Sequence, residues 1–299
     1  MTKSRVSFGD FVQELYSRFQ DDEVPALGAQ LTYYLILAFF PFLIFLVTVI
    51  GYTQVSEQEV IDAIASFMPA DSATMVTTIL DEVRENGSGT LLSVGMLATF
   101  WAASNGINAI IKGLNKAYDE EENRPFWKVR GISLLSTVVL ALIIITSMLM
   151  LIFGQVIGEQ VFRLLNYPSG FDPVWTIAQY IIPLLIMVGV FMLLYKITPN
   201  RFLTFRDVLP GSLFATLGWI VTSLAFSFYV SQFGNYSKTY GSIGGIIVLL
   251  IWLYLSSIII LLGGEINAAL AFIREGKRKQ SSKAFALDLP FFRKNKPVE

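Results

Sequence analysis

Six long apolar stretches constrain the fold of this chain more than any other feature of its sequence. They lie near 26–52, 91–117, 131–157, 175–196, 208–231 and 243–273. The hydrocarbon core of a bilayer is about 30 Å thick, and about 20 helical residues cross it. Only 15% of the 299 residues are charged, whereas a typical soluble domain has about 25%. The sequence therefore predicts an all-α, polytopic membrane protein with six transmembrane helices.

The distribution of basic residues predicts the orientation of these helices. When the connections are assigned alternately to two sides, 19 of the 22 Lys and Arg residues fall on one side and three on the other. Loops rich in Lys and Arg stay in the cytoplasm. We therefore expect both termini to be cytoplasmic, and the even number of spans agrees with this.

These spans divide the chain into three parts. Residues 1–25 form a cytoplasmic N-terminal segment whose apolar residues recur at helical spacing, so it either lies on the inner membrane surface or packs on cytoplasmic loops. Residues 26–273 form the membrane domain. Within it, the acidic loop 53–90 predicts a short extracytoplasmic helical hairpin. This loop is either a solvated cap or a cation-attracting vestibule. Residues 274–299 form a basic tail that suits anionic lipid headgroups, although topogenic charge alone is the favoured explanation.

Two missing residue types exclude several classes of chemistry. Without Cys there are no disulfides or thiolate metal sites, and without His there are no His-ligated zinc sites or Ser-His-Asp triads. A net charge of −1 argues against nucleic-acid binding, and no phosphate-binding GxxxxGK[ST] motif is present. We therefore expect no metal, no cofactor and no nucleic-acid partner. The oligomeric state is left open.

The second span carries a polar stripe that is the strongest functional signal in the sequence. Its members recur at steps of three and four residues and fall within about 80° on a helix. They are Trp101, Asn105, Asn108, Lys112, Asn115 and Asp119. Such a face either lines a polar cavity or hydrogen-bonds to other helices. A similar face of hydroxyl residues on the fifth span favours helix packing.

Two full charges lie well inside the spans, Lys112 and Glu265. Both are about 12 Å or less from the predicted cytoplasmic surface at 1.5 Å per residue. An ion pair between them would avoid two isolated charges in a low-dielectric site. We therefore predict that Lys112 and Glu265 pair, either as a static bridge or as a gate or proton-coupling site. With Asn105, Asn108 and Asn115 they form the candidate substrate cavity.

Further residues are candidates for an outer gate or for close helix packing. Gly241 and Gly245 form a GxxxG pair, which lets helix backbones approach closely. Pro41 interrupts the hydrogen bonding of the first span. The complete set of gate or packing candidates is Tyr33, Pro41, Tyr240, Gly241, Gly245 and Tyr254.

Several sequence blocks together resemble a known family. In order, they are Leu31-Thr32-Tyr33-Tyr34 with Phe40-Pro41, Trp101-Ala102-Ala103-Ser104-Asn105, Leu114-Asn115-Lys116-Ala117-Tyr118 with Glu122-Asn123-Arg124-Pro125-Phe126, Asp207-Val208-Leu209-Pro210-Gly211, Tyr240-Gly241-Ser242-Ile243-Gly244-Gly245, and Leu250-Ile251-Trp252-Leu253-Tyr254 with Gly264-Glu265-Ile266-Asn267. The chain resembles the YihY/virulence factor BrkB family of bacterial inner-membrane proteins over about residues 20–275. This resemblance implies six spans, a location in the bacterial plasma membrane and a role in envelope homeostasis or virulence.

Some members of that family have been labelled ribonuclease BN. A metal-dependent ribonuclease needs clustered His and Asp, and this chain has no His. We therefore expect no enzymatic activity. The leading expectation is a transporter or lipid-translocating protein with a lipid-like or amphipathic substrate. The alternative is a non-transporting membrane scaffold for envelope assembly enzymes.

Overall fold

A computed structural model describes residues 8–51, 89–164, 171–233 and 244–276. Seven helices lie in these ranges: α1 Phe8–Asp21, α2 Val24–Gly51, α3 Gly89–Ala117, α4 Phe126–Leu164, α5 Phe171–Ile197, α6 Phe205–Phe233 and α7 Gly244–Glu275. The four ranges contain no strand. The all-α prediction is confirmed for this part of the chain.

Four of these helices contain segments long and apolar enough to cross a membrane. The segments are Phe126–Ser147, Val174–Ile197, Phe205–Gln232 and Gly244–Glu275, and Val24–Phe39 is a shorter apolar segment. The chain is therefore a multi-pass α-helical membrane protein, while six spans and cytoplasmic termini stay predictions. The predicted hairpin in 53–90 lies outside the described residues, as does the basic tail after residue 276.

The six longer helices form a closed ring. Each helix from α2 to α6 packs against the next one in the chain, and α7 returns to contact both α2 and α3. One end of this bundle gathers α1, the connection between α3 and α4, the connection between α5 and α6, and the last turn of α7. We call it the charged end. By the distribution of Lys and Arg, it is the end predicted to face the cytoplasm.

Helix α7 packs closely against α3 and α6, because small residues let these neighbours approach. A methyl group added at Gly211 of α6 would collide with the carbonyl oxygen of Gly263 in α7, and one at Gly264 would collide with the side chain of Leu114 in α3. Small residues at helix interfaces are a common means of association in membranes. Glycine at these positions thus allows the close approach of α7 to α3 and α6.

Hydrogen bonds between side chains also join α6 to α7. The indole of Trp219 donates to the hydroxyl of Ser256 at 3.1 Å, and that of Trp252 donates to Ser223 at 3.1 Å. The two indole rings meet edge to face at 5.8 Å. These contacts assign Trp219 and Ser223 of the hydroxyl-rich face to helix packing, the interpretation that the sequence favoured.

Helix α1 is docked on the charged end through a buried arginine. The side chain of Arg18 is nearly inaccessible, at 1% relative exposure. Its Nη1 donates to the carbonyl oxygen of Ala117 at 3.2 Å, its Nε donates to Glu14 at 2.9 Å, and its guanidinium lies 4.7 Å from the ring centre of Phe272. In the structure this segment packs against α2 and α7. Its position relative to the membrane surface stays a prediction.

Candidate functional site

The polar stripe of α3 lies on the outside of the ring. Trp101 is 65% exposed and Lys112 is also exposed, while Asn105 and Asn108 are half-buried. The opposite side of α3 faces the bundle interior, where Ala109 and Ile110 are buried in the core. Four members of the stripe therefore form a lateral surface, rather than the wall of a central cavity.

Arg130 at the start of α4 completes this surface. Its Nη1 donates to Oδ1 of Asn105 at 2.6 Å, and its guanidinium lies 4.1 Å from the ring centre of Trp101. Its Nη2 is buried and has no hydrogen-bond partner within the part of the chain that the structure describes. We define the α3–α4 groove by five residues: Trp101, Asn105, Asn108, Lys112 and Arg130. The sequence counted Arg130 only as a topogenic charge.

Asn115 has a different role from the rest of the stripe. It is buried, its Nδ2 donates to Glu122 at 2.8 Å, and its Oδ1 accepts from the backbone N–H of Asn200 at 2.7 Å. Arg124 donates to Glu122 at 2.7 Å and to the carbonyl oxygen of Thr198 at 3.0 Å. Asn115 thus ties the end of α3 to two connections, which is a structural role.

The hydrogen bonds around Glu122 also set its charge state. The side-chain hydrogen bond from Arg124 is the largest cause that holds the pKa of Glu122 below its ordinary value. Bonds from the backbone of Arg124 and from Asn115 act in the same direction. Four N–H groups of Asn115 and Arg124 donate to the Glu122 carboxylate, and they favour its ionised form.

The structure does not bring Lys112 and Glu265 together. Gly113 and Leu114 face Leu261 and Gly264 of α7, and Lys112 lies about 100° and 200° around the helix from them. Glu265 is only 2% exposed, whereas Lys112 is on the surface. Among the ion pairs of the described residues, none joins these two side chains. Spacing along the chain predicted how deep the two residues lie in their spans, but it did not predict which way their side chains point around the helices.

Glu265 instead belongs to a group of ionisable side chains around the buried Tyr118. Burial raises the pKa of the Tyr118 phenol, and the negative charges of Asp207 and Glu265 add to this, whereas Arg201 opposes it. Arg201 lies 5.4 Å from the Tyr118 ring centre and pairs with Glu120 at 3.7 Å and with Glu275. Arg274 pairs with Asp207. Neither Tyr118 nor Arg201 was singled out from sequence.

Two further hydrogen bonds fix α7 beside this group. Asn267 is buried, and its Oδ1 accepts from the backbone N–H of Gly211 at 2.7 Å. The hydroxyl of Tyr195 donates to the carbonyl oxygen of Ile260 at 2.6 Å. Asn267 stands in a block that resembles the family, and its Oδ1 provides the acceptor for a backbone N–H of α6.

The gate candidates are spread over separate places. Tyr33 is exposed on α2 and meets Tyr34 edge to face at 5.4 Å, while Pro41 lies inside the same helix. Gly245 is buried at the start of α7, and Tyr254 lies next to Gly28. Tyr240 and Gly241 are outside the described residues. Within the described ranges there is also no group of three acidic residues that could hold a metal ion.

The fold and the groove define a class: a multi-pass α-helical membrane protein with a polar surface on the side of its bundle. The chain belongs to the virulence factor BrkB family, whose model matches residues 15–286. The resemblance seen in the sequence blocks is therefore confirmed.

Two relatives illustrate the range of the family. The chain is 46% identical over 260 residues to a putative ribonuclease-like protein, YfkH, of Bacillus subtilis. The aligned region covers 87% of this chain and 94% of that protein. It is 24% identical over 279 residues to a UPF0761 membrane protein of Alteromonas mediterranea, covering 91% of this chain and 90% of that one. No solved structure matches the chain.

Proposed function

We propose that this protein translocates an anionic phospholipid or a similar amphipathic molecule along the α3–α4 groove. The observation that carries the proposal is the position of the polar stripe. A polar face that points outward within a membrane-spanning bundle is costly unless it contacts water or polar ligand groups. A headgroup that moves along such a face keeps its acyl chains in the bilayer.

The charges of the groove favour an anionic headgroup. Lys112 and Arg130 supply two cations, and the groove as defined contains no acidic side chain. The buried Nη2 of Arg130 has no hydrogen-bond partner among the described residues, so the guanidinium is not fully bonded within this part of the protein. Guanidinium groups bind phosphate oxygens with strong, directional hydrogen bonds. The half-buried amides of Asn105 and Asn108 would accompany the phosphate between the two cations.

A translocation assay in vesicles tests this proposal. The full-length protein is reconstituted into phosphatidylcholine vesicles that contain fluorescent phosphatidylglycerol, and a reductant added outside bleaches only the outer leaflet. We expect faster loss of the inner-leaflet signal than in empty vesicles. Arg130→Gln and Asn108→Leu should slow it about tenfold, because each removes a polar contact of the moving headgroup.

Arg206→Gln is the matched control. Arg206 is exposed at the start of α6, on a helix that does not form the groove, and its replacement removes the same charge at the same end. We expect wild-type rates from this variant. Equal rates for wild-type protein and empty vesicles would refute translocation of this lipid, and equal rates for all variants would refute the groove.

A membrane scaffold for envelope assembly enzymes is the second candidate function. Asn105 and Asn115 are both hydrogen-bonded within the protein, which favours a structural role for part of the stripe. Under this alternative, photo-crosslinking from position 112 in cells captures one partner protein and the vesicle assay shows no translocation. Under either function we propose that the protein is not an enzyme and acts in the plasma membrane.

A further inference from the structure

A second surface of α4, on the far side from the groove, forms an apolar cleft with α5. The cleft has a volume of about 100 Å³, and seven of its eight lining residues are aliphatic. Leu194 forms its buried floor, whereas Leu135 and Ile197 are exposed at its edges. Apolar cavities of similar size in proteins hold apolar molecules rather than water. The cleft therefore suits a segment of a hydrocarbon chain.

A basic residue lies directly below this cleft. Lys128 is exposed and precedes Ile132, Leu135 and Val139 by four, seven and eleven residues, so that all four share one face of α4. From Lys128 to Val139 the helix rises about 16 Å. The cleft thus runs from a cation at the charged end into the membrane-spanning part of α4.

The neighbouring Trp127 indicates the depth of Lys128 in the membrane. Trp127 is 73% exposed at the start of α4, and exposed Trp residues at helix ends sit at the level of lipid headgroups. Lys128 therefore lies where the phosphate of a lipid in the adjoining leaflet would be. Its charge is complementary to that phosphate.

We propose that the α4–α5 cleft binds one phospholipid of the surrounding bilayer, with its phosphate beside Lys128 and one acyl chain against Leu194. This site does not depend on the proposed translocation. Arg130 bonds to α3, and the cleft residues lie about 140° to 280° around α4 from it, so the two surfaces are separate. The bound lipid fills the gap between two helices that otherwise leave the cleft open.

Native mass spectrometry of the detergent-purified, full-length protein tests the site. We expect titration with dioleoylphosphatidylglycerol to give a saturable adduct that persists in the Arg130→Gln variant, because the cleft does not use that arginine of the groove. Lys128→Gln should weaken this binding about fivefold, the effect of one basic residue near an anionic lipid. Ser136→Phe should abolish the adduct by filling the cleft from one of its lining positions.

Two controls keep this test independent of the groove. Arg206→Gln removes one positive charge away from both the cleft and the groove, so it should bind lipid as the wild type does, and Leu97→Ala, an exposed apolar change on α3, should do the same. Lys128 is exposed, so that its replacement leaves the core intact even where Ser136→Phe does not fold. The absence of a saturable adduct, or unchanged binding by Lys128→Gln, would overturn the proposal whatever the vesicle assay shows.

Discussion

At the scale of single residues, Arg18 is the least expected feature of the structure. The sequence analysis included it only among the basic residues of the predicted cytoplasmic side. It is instead buried, because its guanidinium reaches a free carbonyl group at the end of α3 and the ring of Phe272. Four C=O groups at a helix end have no partner within that helix, so a long donor side chain can bind there.

Replacing Arg18 should therefore destabilise the protein. We expect Arg18→Ala to lower the free energy of unfolding by about 2–3 kcal/mol, because a charge-assisted hydrogen bond to a buried acceptor is lost. Thermal unfolding in detergent measures this. Gln13→Ala changes an exposed position of the same helix and should unfold as the wild type does. Equal melting temperatures for Arg18→Ala and Gln13→Ala would contradict the docking of α1.

At the scale of helices, the contact between α6 and α7 depends on Gly211. A side chain there meets the backbone of Gly263, which cannot rotate away as a flexible side chain can. We expect Gly211→Ala to separate the two helices and to break the bond from its N–H to Asn267. The cost should be about 2–4 kcal/mol, in the range of overpacking and of a lost buried hydrogen bond combined.

Gly189 offers a matched comparison on α5. A methyl group added there meets nothing within 4 Å, and alanine favours the helix by about 0.5–1 kcal/mol relative to glycine. Gly189→Ala should therefore raise the melting temperature slightly, while Gly211→Ala lowers it. Melting temperatures that change in opposite directions would separate the effect of helix contact from that of helix propensity. A Gly211→Ala variant with a raised melting temperature would refute the close approach of α6 and α7.

The helices also show how far the sequence could predict the site. Periodicity placed Asn105, Asn108 and Lys112 on one face of α3, and the structure has them on one face. Periodicity does not say which neighbour that face meets, so the partner Arg130 and the outward direction were missed. The predicted pairing of Lys112 with Glu265 was not found for the same reason. Spacing along the chain predicts how deep a residue lies in the membrane, but it does not predict which neighbouring helix its side chain faces.

At the scale of the whole molecule, the charged end joins elements that are far apart in the chain. Asn115, Glu122, Arg124 and Asn200 link the end of α3 to two connections. Apolar composition predicted the helices well, because a helix that crosses the bilayer must be apolar over its length. Contacts between loops follow from the packing of the bundle, which composition does not specify, so this network was not foreseen.

This network gives the stability of the protein a defined pH dependence. The pKa of Glu122 is lower in the folded protein than its ordinary value of 4.5, so the stabilisation is complete above that value and is lost as the pH falls through the folded pKa. We expect the melting temperature to fall as the buffer is acidified below about pH 4.5. Glu122→Gln should already unfold at a lower temperature at neutral pH and should show a smaller fall, and an identical pH profile would contradict this assignment.

Helix α4 contains 39 residues, and at 1.5 Å per residue it is about 58 Å long. A hydrocarbon core of about 30 Å covers roughly half of that length. The helix must therefore lean steeply or rise well beyond the lipid on the side away from the charged end, and a thicker membrane would draw it upright. The local thickness of the bilayer would thus change the tilt of α4, the helix that borders both the groove and the cleft.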